Sequence, residues 1–153
     1  MSDSYIDIEK WDRRYLGLAY YVSNWSKDPS TKVGAVITRD NRVVSLGFNG
    51  FPEGVNDGID RYENRDLKYK MIVHAEPNAI ISAKQDLTNC WIYLWPFLSC
   101  SSCTGLIIQS GIKRVIAPEN DNPRWAESFE ISKTMFREAN VEVKFYKFNF
   151  EME

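Results

Sequence analysis

The second half of the chain is what most narrows its fold. Three short strand-like segments, at residues 91–95, 114–117 and 142–148, are separated by two segments of helical length, at about 100–109 and 125–139. Strands alternating with helices form βα units, which assemble into a sheet covered by helices. Gly111 stops the first of those helices. Upstream, residues 33–38 and 42–48 read as two strands joined by a turn at Asp40-Asn41. Residues 7–27 carry Ile8, Trp11, Tyr15, Leu18, Ala19 and Val22 at three- and four-residue steps, the period of an amphipathic helix. Asp28-Pro29-Ser30 is expected to end it. Another helix is expected from about residue 74 to 84. Pro77 fits only its first turn, since deeper in it would lose a hydrogen bond and clash. Residues 49–70 are polar and glycine-rich, and read as a long loop with room for a short helix. The expectation is one α/β domain over residues 1–153, a three-layer α/β/α fold around a five-stranded mixed sheet.

Charge and composition remove several functional classes. The net charge is −2, with lysines and arginines scattered along the chain. A protein that grips long nucleic acid usually carries a basic stripe, so a polynucleotide partner is not expected. A small anionic ligand needs only two or three local cations. No apolar run approaches the roughly 20 residues that span a bilayer. The start, Met1-Ser2-Asp3-Ser4-Tyr5, is polar and acidic, unlike a signal peptide. A cytoplasmic protein without membrane contact is expected. Three cysteines make a poor disulfide framework, and a close pair suits metal binding or catalysis better. Cys90 reads as a small buried hydrophobe.

The chemistry concentrates in two short segments. The single histidine sits in His74-Ala75-Glu76, and Cys100-Ser101-Ser102-Cys103 begins 24 residues after Glu76. One imidazole and two thiolates supply the three protein ligands of a catalytic zinc site, leaving the fourth position to water. Both segments are expected at helix starts, where partial positive charge favours the thiolates a metal requires. Glu76, two residues from a ligand, can stand beside the open position without binding. Zinc lowers the pKa of bound water towards about 7, and an adjacent carboxylate then serves as general acid and base. Taken singly, a lone histidine is usually structural and a lone C-x-x-C can be a redox pair; their combination in this order is what carries the inference.

An H-x-E segment followed by P-C-x-x-C, with the glutamate not a ligand, is the pattern of zinc-dependent nucleobase deaminases. This chain resembles that superfamily through His74, Glu76, Cys100 and Cys103. It departs at Ser99, where the pattern has proline. Three further stretches narrow the resemblance. They are residues 27–37 (Lys-Asp-Pro-Ser-Thr-Lys-Val-Gly-Ala-Val-Ile), residues 47–52 (Gly-Phe-Asn-Gly-Phe-Pro) and residues 74–80 (His-Ala-Glu-Pro-Asn-Ala-Ile). With them, roughly residues 10–145 look like a deoxycytidylate (dCMP) deaminase. The resemblance implies that Asn49 meets the sugar 3′-hydroxyl and that Val33 and Ala75 lie against the pyrimidine. Thr31 and Lys32 would contact the phosphate, with Arg65, Lys68, Arg124 and Trp125 as further candidates for phosphate binding or base stacking. It implies hydrolysis of dCMP to dUMP, one zinc per chain and a hexamer. It also implies activation by dCTP and inhibition by dTTP, with Mg²⁺ on the triphosphate. The effector region would include Phe48, Gly50 and Phe51. A second, structural zinc is not expected, because there is one histidine and residues 51–72 lack cysteine.

Other readings stay open at this point. The enzyme could act on free cytidine or deoxycytidine, or on tRNA adenosine. The chain could be a zinc-stapled nucleotide sensor without catalysis, although such a site has no need of Glu76.

Overall fold

The computed structural model describes residues 6–148. The polar stretch 1–5, read above as unlike a signal peptide, lies outside them. One mixed sheet organises the chain. Its strands are β1 (Gly34–Arg39), β2 (Arg42–Phe48), β3 (Trp91–Trp95), β4 (Arg114–Pro118) and β5 (Glu142–Tyr146), in the spatial order β2-β1-β3-β4-β5. β1 pairs antiparallel with β2 and β3, while β3, β4 and β5 run parallel. The expected hairpin is present. Asp40 and Asn41 both take positive φ, 51° and 62°, the conformation that a tight two-residue hairpin turn demands.

Helices cover both faces. On one side lies α1 (Ile8–Ser23), packed through Tyr15, Leu16 and Ala19 onto Val36, Tyr93, Ile116 and Tyr146. On the other lie α4 (Ala75–Ala83), α5 (Ser101–Gln109) and α6 (Ala126–Glu138), over Ala35, Ile37, Ile92, Leu94, Val115 and Ala117. Neighbouring strand residues thus point into different cores. This explains why β4 is buried along its whole length and, after Arg114, is apolar without alternation. Burying each large apolar side chain stabilises the fold by about 1.5–3 kcal/mol.

Two glycines let helices approach strands closely. A Cβ at Gly34 would stand 2.0 Å from the Ala19 carbonyl oxygen of α1. A Cβ at Gly47 would stand 2.4 Å from the Ala75 carbonyl oxygen and 2.5 Å from the Ala79 nitrogen of α4. The second approach matters for function, because it sets the position of the helix that follows His74.

A buried ion pair links α1 to the sheet. Asp12, fully buried, accepts two hydrogen bonds of 2.8 Å from Arg114 on β4. It also accepts from the Tyr93 hydroxyl at 3.0 Å and the Tyr146 hydroxyl at 2.7 Å. Four donors satisfy the carboxylate, so no charge is left uncompensated.

Several boundaries differ from expectation. α1 ends at Ser23 rather than residue 27. Ser23 Oγ and Asn24 Nδ2 both donate back to the Tyr20 carbonyl, and such local side-chain bonds compete with continued helix. Residues 49–70 are not one loop with a single helix. They contain α2 (Ile59–Glu63), and most of α3 (Arg65–Met71). Asn64 closes the first of these and caps the second, accepting from Leu67 N–H at 3.3 Å. The start of the last major helix is split, with a 3-10 turn at Pro123–Trp125 before α6. β5 stops at Tyr146, two residues early. No described helix is long and apolar enough to cross a membrane.

Candidate active site

His74 is the N-cap of α4 and Cys100 the N-cap of α5. Cys103 lies one turn further on. The two helix starts meet. His74 Nδ1 stands 3.2 Å from Cys103 Sγ and 3.8 Å from Cys100 Sγ, and all three donor atoms lie within 4.8 Å of one another. Ligands bound tetrahedrally at ~2.0–2.3 Å stand ~3.5–4 Å apart, so one nitrogen and two sulfurs at this spacing fit a zinc ion. Among the described residues this is the one such cluster of three or more His, Cys, Asp or Glu.

The electrostatics of the cluster suit a metal. The hydrogen bond from Cys103 to the Cys100 sulfur, with His74 beside it, pulls the Cys100 thiol down to about 4. The same bond, together with burial, pushes the Cys103 thiol up. The bond to Cys100 raises His74, against the opposing effect of burial. The pair therefore shares a proton that a cation would displace. Glu76, in the first turn of α4 and 4% exposed, is pushed up to about 7 by burial.

These groups open into a cleft of about 780 Å³ that contains His74, Glu76 and Cys100. A second cleft of about 590 Å³, beside Pro118, Lys133 and Phe145, holds neither the histidine nor a cysteine.

A family model described as the cytidine and deoxycytidylate deaminase zinc-binding region matches residues 9–119. The chain belongs to this deaminase family. An uncharacterized deaminase of Aliivibrio fischeri is 50% identical over 139 residues, 89% of this chain and 93% of that protein. A deoxycytidylate deaminase of Mus musculus is 35% identical over 142 residues, 88% of this chain and 79% of that one. In fold, the chain matches the dCMP deaminase of cyanophage S-TIM5 with a TM-score of 0.71 at 20% identity, covering 90% of this chain and 98% of the other.

In this deaminase the cleft gathers most of the residues singled out from sequence. Thr31, Val33, Asn49, Arg65, Lys68, Arg124 and Trp125 all line it. Asn49 is held from three sides. Its Oδ1 accepts from Val33 N–H at 2.9 Å, and its Nδ2 donates to the Thr31 carbonyl at 2.9 Å and to Asp28 Oδ2 at 3.4 Å. Arg65 packs over the Tyr69 ring at 5.5 Å and Arg124 over the Trp125 ring at 4.7 Å. Lys68 differs from them. It is 4% exposed and its ammonium lies 3.3 Å from Asp28, so its charge is already paired.

Other residues fall outside the cleft wall. Lys32 Nζ turns to the Ser26 carbonyl. Ala75, the first residue of α4, is fully buried in the core. Phe48, Gly50 and Phe51 sit beyond the cleft. Phe48 meets Trp25 edge-on at 6.1 Å, Gly50 exchanges two backbone hydrogen bonds with Val73, and Phe51 packs on Tyr62 at 4.5 Å.

Several cleft residues lie outside the set expected from sequence, Asp28 and Phe97 among them. Asp28 was read only as part of a helix stop. Its Oδ1 accepts from Ser30 N–H at 2.9 Å, and an Asx turn of this kind is legible in Asp28-Pro29-Ser30. Phe97, stacked on Trp125 at 5.3 Å and Phe129 at 5.8 Å, gave no local signal.

Proposed function

We propose that the cleft hydrolyses dCMP to dUMP and ammonia. The observation that carries this reading is a buried carboxyl, Glu76, in the same helical turn that follows His74, beside a three-donor cluster fit for zinc. His74, Cys100 and Cys103 hold the ion, which when bound lowers the pKa of water and so supplies a nucleophile at neutral pH. Glu76 does the proton work. It accepts a proton from the attacking water and delivers one to pyrimidine N3. After attack at C4 it takes the proton of the new C4 hydroxyl and passes it to the amino group, so ammonia leaves as the C4 carbonyl forms. Burial raises the proton affinity of this carboxyl and a bound cation beside it lowers it, and those opposed effects let it exchange protons in both directions.

Substrate class follows from the cleft's cations. Arg65 and Arg124 carry charge that no carboxylate within ion-pair distance neutralises among the described residues, and arginine grips phosphate bidentately. Lys68 is spent on Asp28, so the 5′-phosphate falls to the arginines, with Thr31 beside them. Asn49 meets the sugar hydroxyl and Val33 faces the pyrimidine. The relatives named as deoxycytidylate deaminases support the same nucleotide.

The finer parts of the reading are a cytoplasmic hexamer, activated by dCTP and inhibited by dTTP, with Mg²⁺ on the triphosphate. Tyr21, Trp25 and Phe48 support the assembly. They are 60%, 48% and 38% exposed, and their rings pack edge to face, Tyr21 on Trp25 and Trp25 on Phe48, two residues before Gly50. An exposed aromatic cluster of this kind marks an interaction surface.

The test is ammonia release from dCMP, deoxycytidine and CMP by zinc-loaded protein, with and without dCTP and dTTP, and the mass of the assembly in solution. Preference for dCMP over deoxycytidine is expected. Equal turnover of both would remove the phosphate from the reading.

A further inference from the structure

Ser99 stands where the zinc-deaminase pattern has proline, and the structure contains something in its place. Ser99, Thr104 and Ser132 are 1%, 0% and 0% exposed. Ser99 Oγ lies 2.7 Å from Thr104 Oγ1, Thr104 Oγ1 lies 3.0 Å from Ser132 Oγ, and Ser132 Oγ lies 2.7 Å from the Ser99 carbonyl oxygen. Each hydroxyl has one proton, and a carbonyl only accepts. Ser132 must therefore donate to Ser99 O, Thr104 to Ser132, and Ser99 to Thr104. The donors run one way, from the Ser99 hydroxyl to the Ser99 carbonyl, so each bond polarises the next along the chain and the ring closes through Ser99 itself.

The ring's position gives it a task. Ser99 immediately precedes the first sulfur ligand, Thr104 immediately follows the second, and Ser132 lies in the middle of α6. The Thr104 N–H also closes the first turn of α5 onto the Cys100 carbonyl at 2.9 Å. Proline would restrain the backbone before Cys100 through its ring, by locking φ. Serine has no such restraint. Here its side chain and its carbonyl are both tied to neighbouring helices instead.

We propose that Ser99, Thr104 and Ser132 are positioning residues that hold Cys100 and Cys103 in metal-binding geometry, the hydrogen-bonded ring standing in for the missing proline. The proposal rests on the zinc site described above. Partners that orient ligands in this way typically change metal affinity by roughly 10–100-fold when removed.

The experiment follows zinc release from the loaded protein to an excess of a chromophoric chelator. Wild type is compared with Thr104→Val, which keeps the shape and loses the hydroxyl, with Thr104→Ser, which keeps the hydroxyl, and with Ser132→Ala. Thr104→Val and Ser132→Ala should release zinc roughly 10–100-fold faster than wild type, and Thr104→Ser within about threefold of it. Melting of the zinc-free proteins is recorded alongside. If Thr104→Val and Ser132→Ala lower melting of zinc-free and zinc-loaded protein equally, and release zinc at the wild-type rate, the ring is only structural and the proposal falls. A wild-type protein that takes up no zinc would instead refute the site itself.

Discussion

Replacing Glu76 by glutamine should make the zinc-free protein more stable and abolish turnover by the zinc-loaded one. An unfolded glutamate loses its proton near 4.5, whereas the folded carboxyl, buried in the first turn of α4, holds its proton up to about 7. Between those values the folded state binds more protons than the unfolded state, so raising the pH disfavours folding. The contribution is full below about 4.5 and lost above about 7. The interval between the two values corresponds to about 3 kcal/mol. Glutamine has nearly the same shape and no charge to bury, so it escapes this loss. The difference also includes the coupling of the carboxyl to His74, Cys100 and Cys103, which stand beside it. Urea or thermal unfolding of zinc-stripped wild type and Glu76→Gln, at steps from pH 5 to pH 8, reads the effect directly. The variant's advantage should be small at pH 5 and reach about 3 kcal/mol at pH 8. That corresponds to roughly 6–12 °C in melting temperature for a chain of this size. Adding zinc should shrink the gap, because a neighbouring cation favours the carboxylate. A difference that stays constant across this pH range would refute the claim that burial of Glu76 sets its protonation.

Four further outcomes are expected. Gly47→Ala drives a methyl group into the backbone of α4; it should cost about 1–3 kcal/mol by urea unfolding and lower the zinc content of the purified protein by shifting His74. Asp12→Asn removes the buried charge partner of Arg114 and leaves it only the exposed Glu142, 3.2 Å from its Nε, and should cost up to about 3 kcal/mol in the same assay. Arg124→Gln should raise KM for dCMP roughly tenfold, through a lost charge-assisted contact, and leave deoxycytidine turnover unchanged. Lys68→Met should instead weaken both substrates and the fold together, because it strands Asp28.

The chemistry of the site was legible because it is local. His74 and Glu76 are two residues apart, and Cys100 and Cys103 share one helical turn, so a short spacing already defines which atoms can converge. The Asp40-Asn41 turn and the β–α alternation were legible for the same reason: backbone preference and side-chain period act over a few residues. Local signals also misled. Asp28-Pro29-Ser30 was read as the stop of the first helix, but Ser23 and Asn24 had already ended it by bonding to Tyr20.

What only tertiary structure decided is which polar groups were free to act. Lys68 and Arg65 look alike in the chain, yet Asp28, 40 residues from Lys68, neutralises one and leaves the other in the cleft. Ser99 read as a missing proline until Ser132, 33 residues away, came to rest on its carbonyl. Glu76 was identified by its place beside His74, but its raised pKa comes from being packed away from water. Spacing along a chain determines which donors can share one metal ion. Burial and long-range partners determine the charge each group carries, and those depend on what the folded chain brings opposite it.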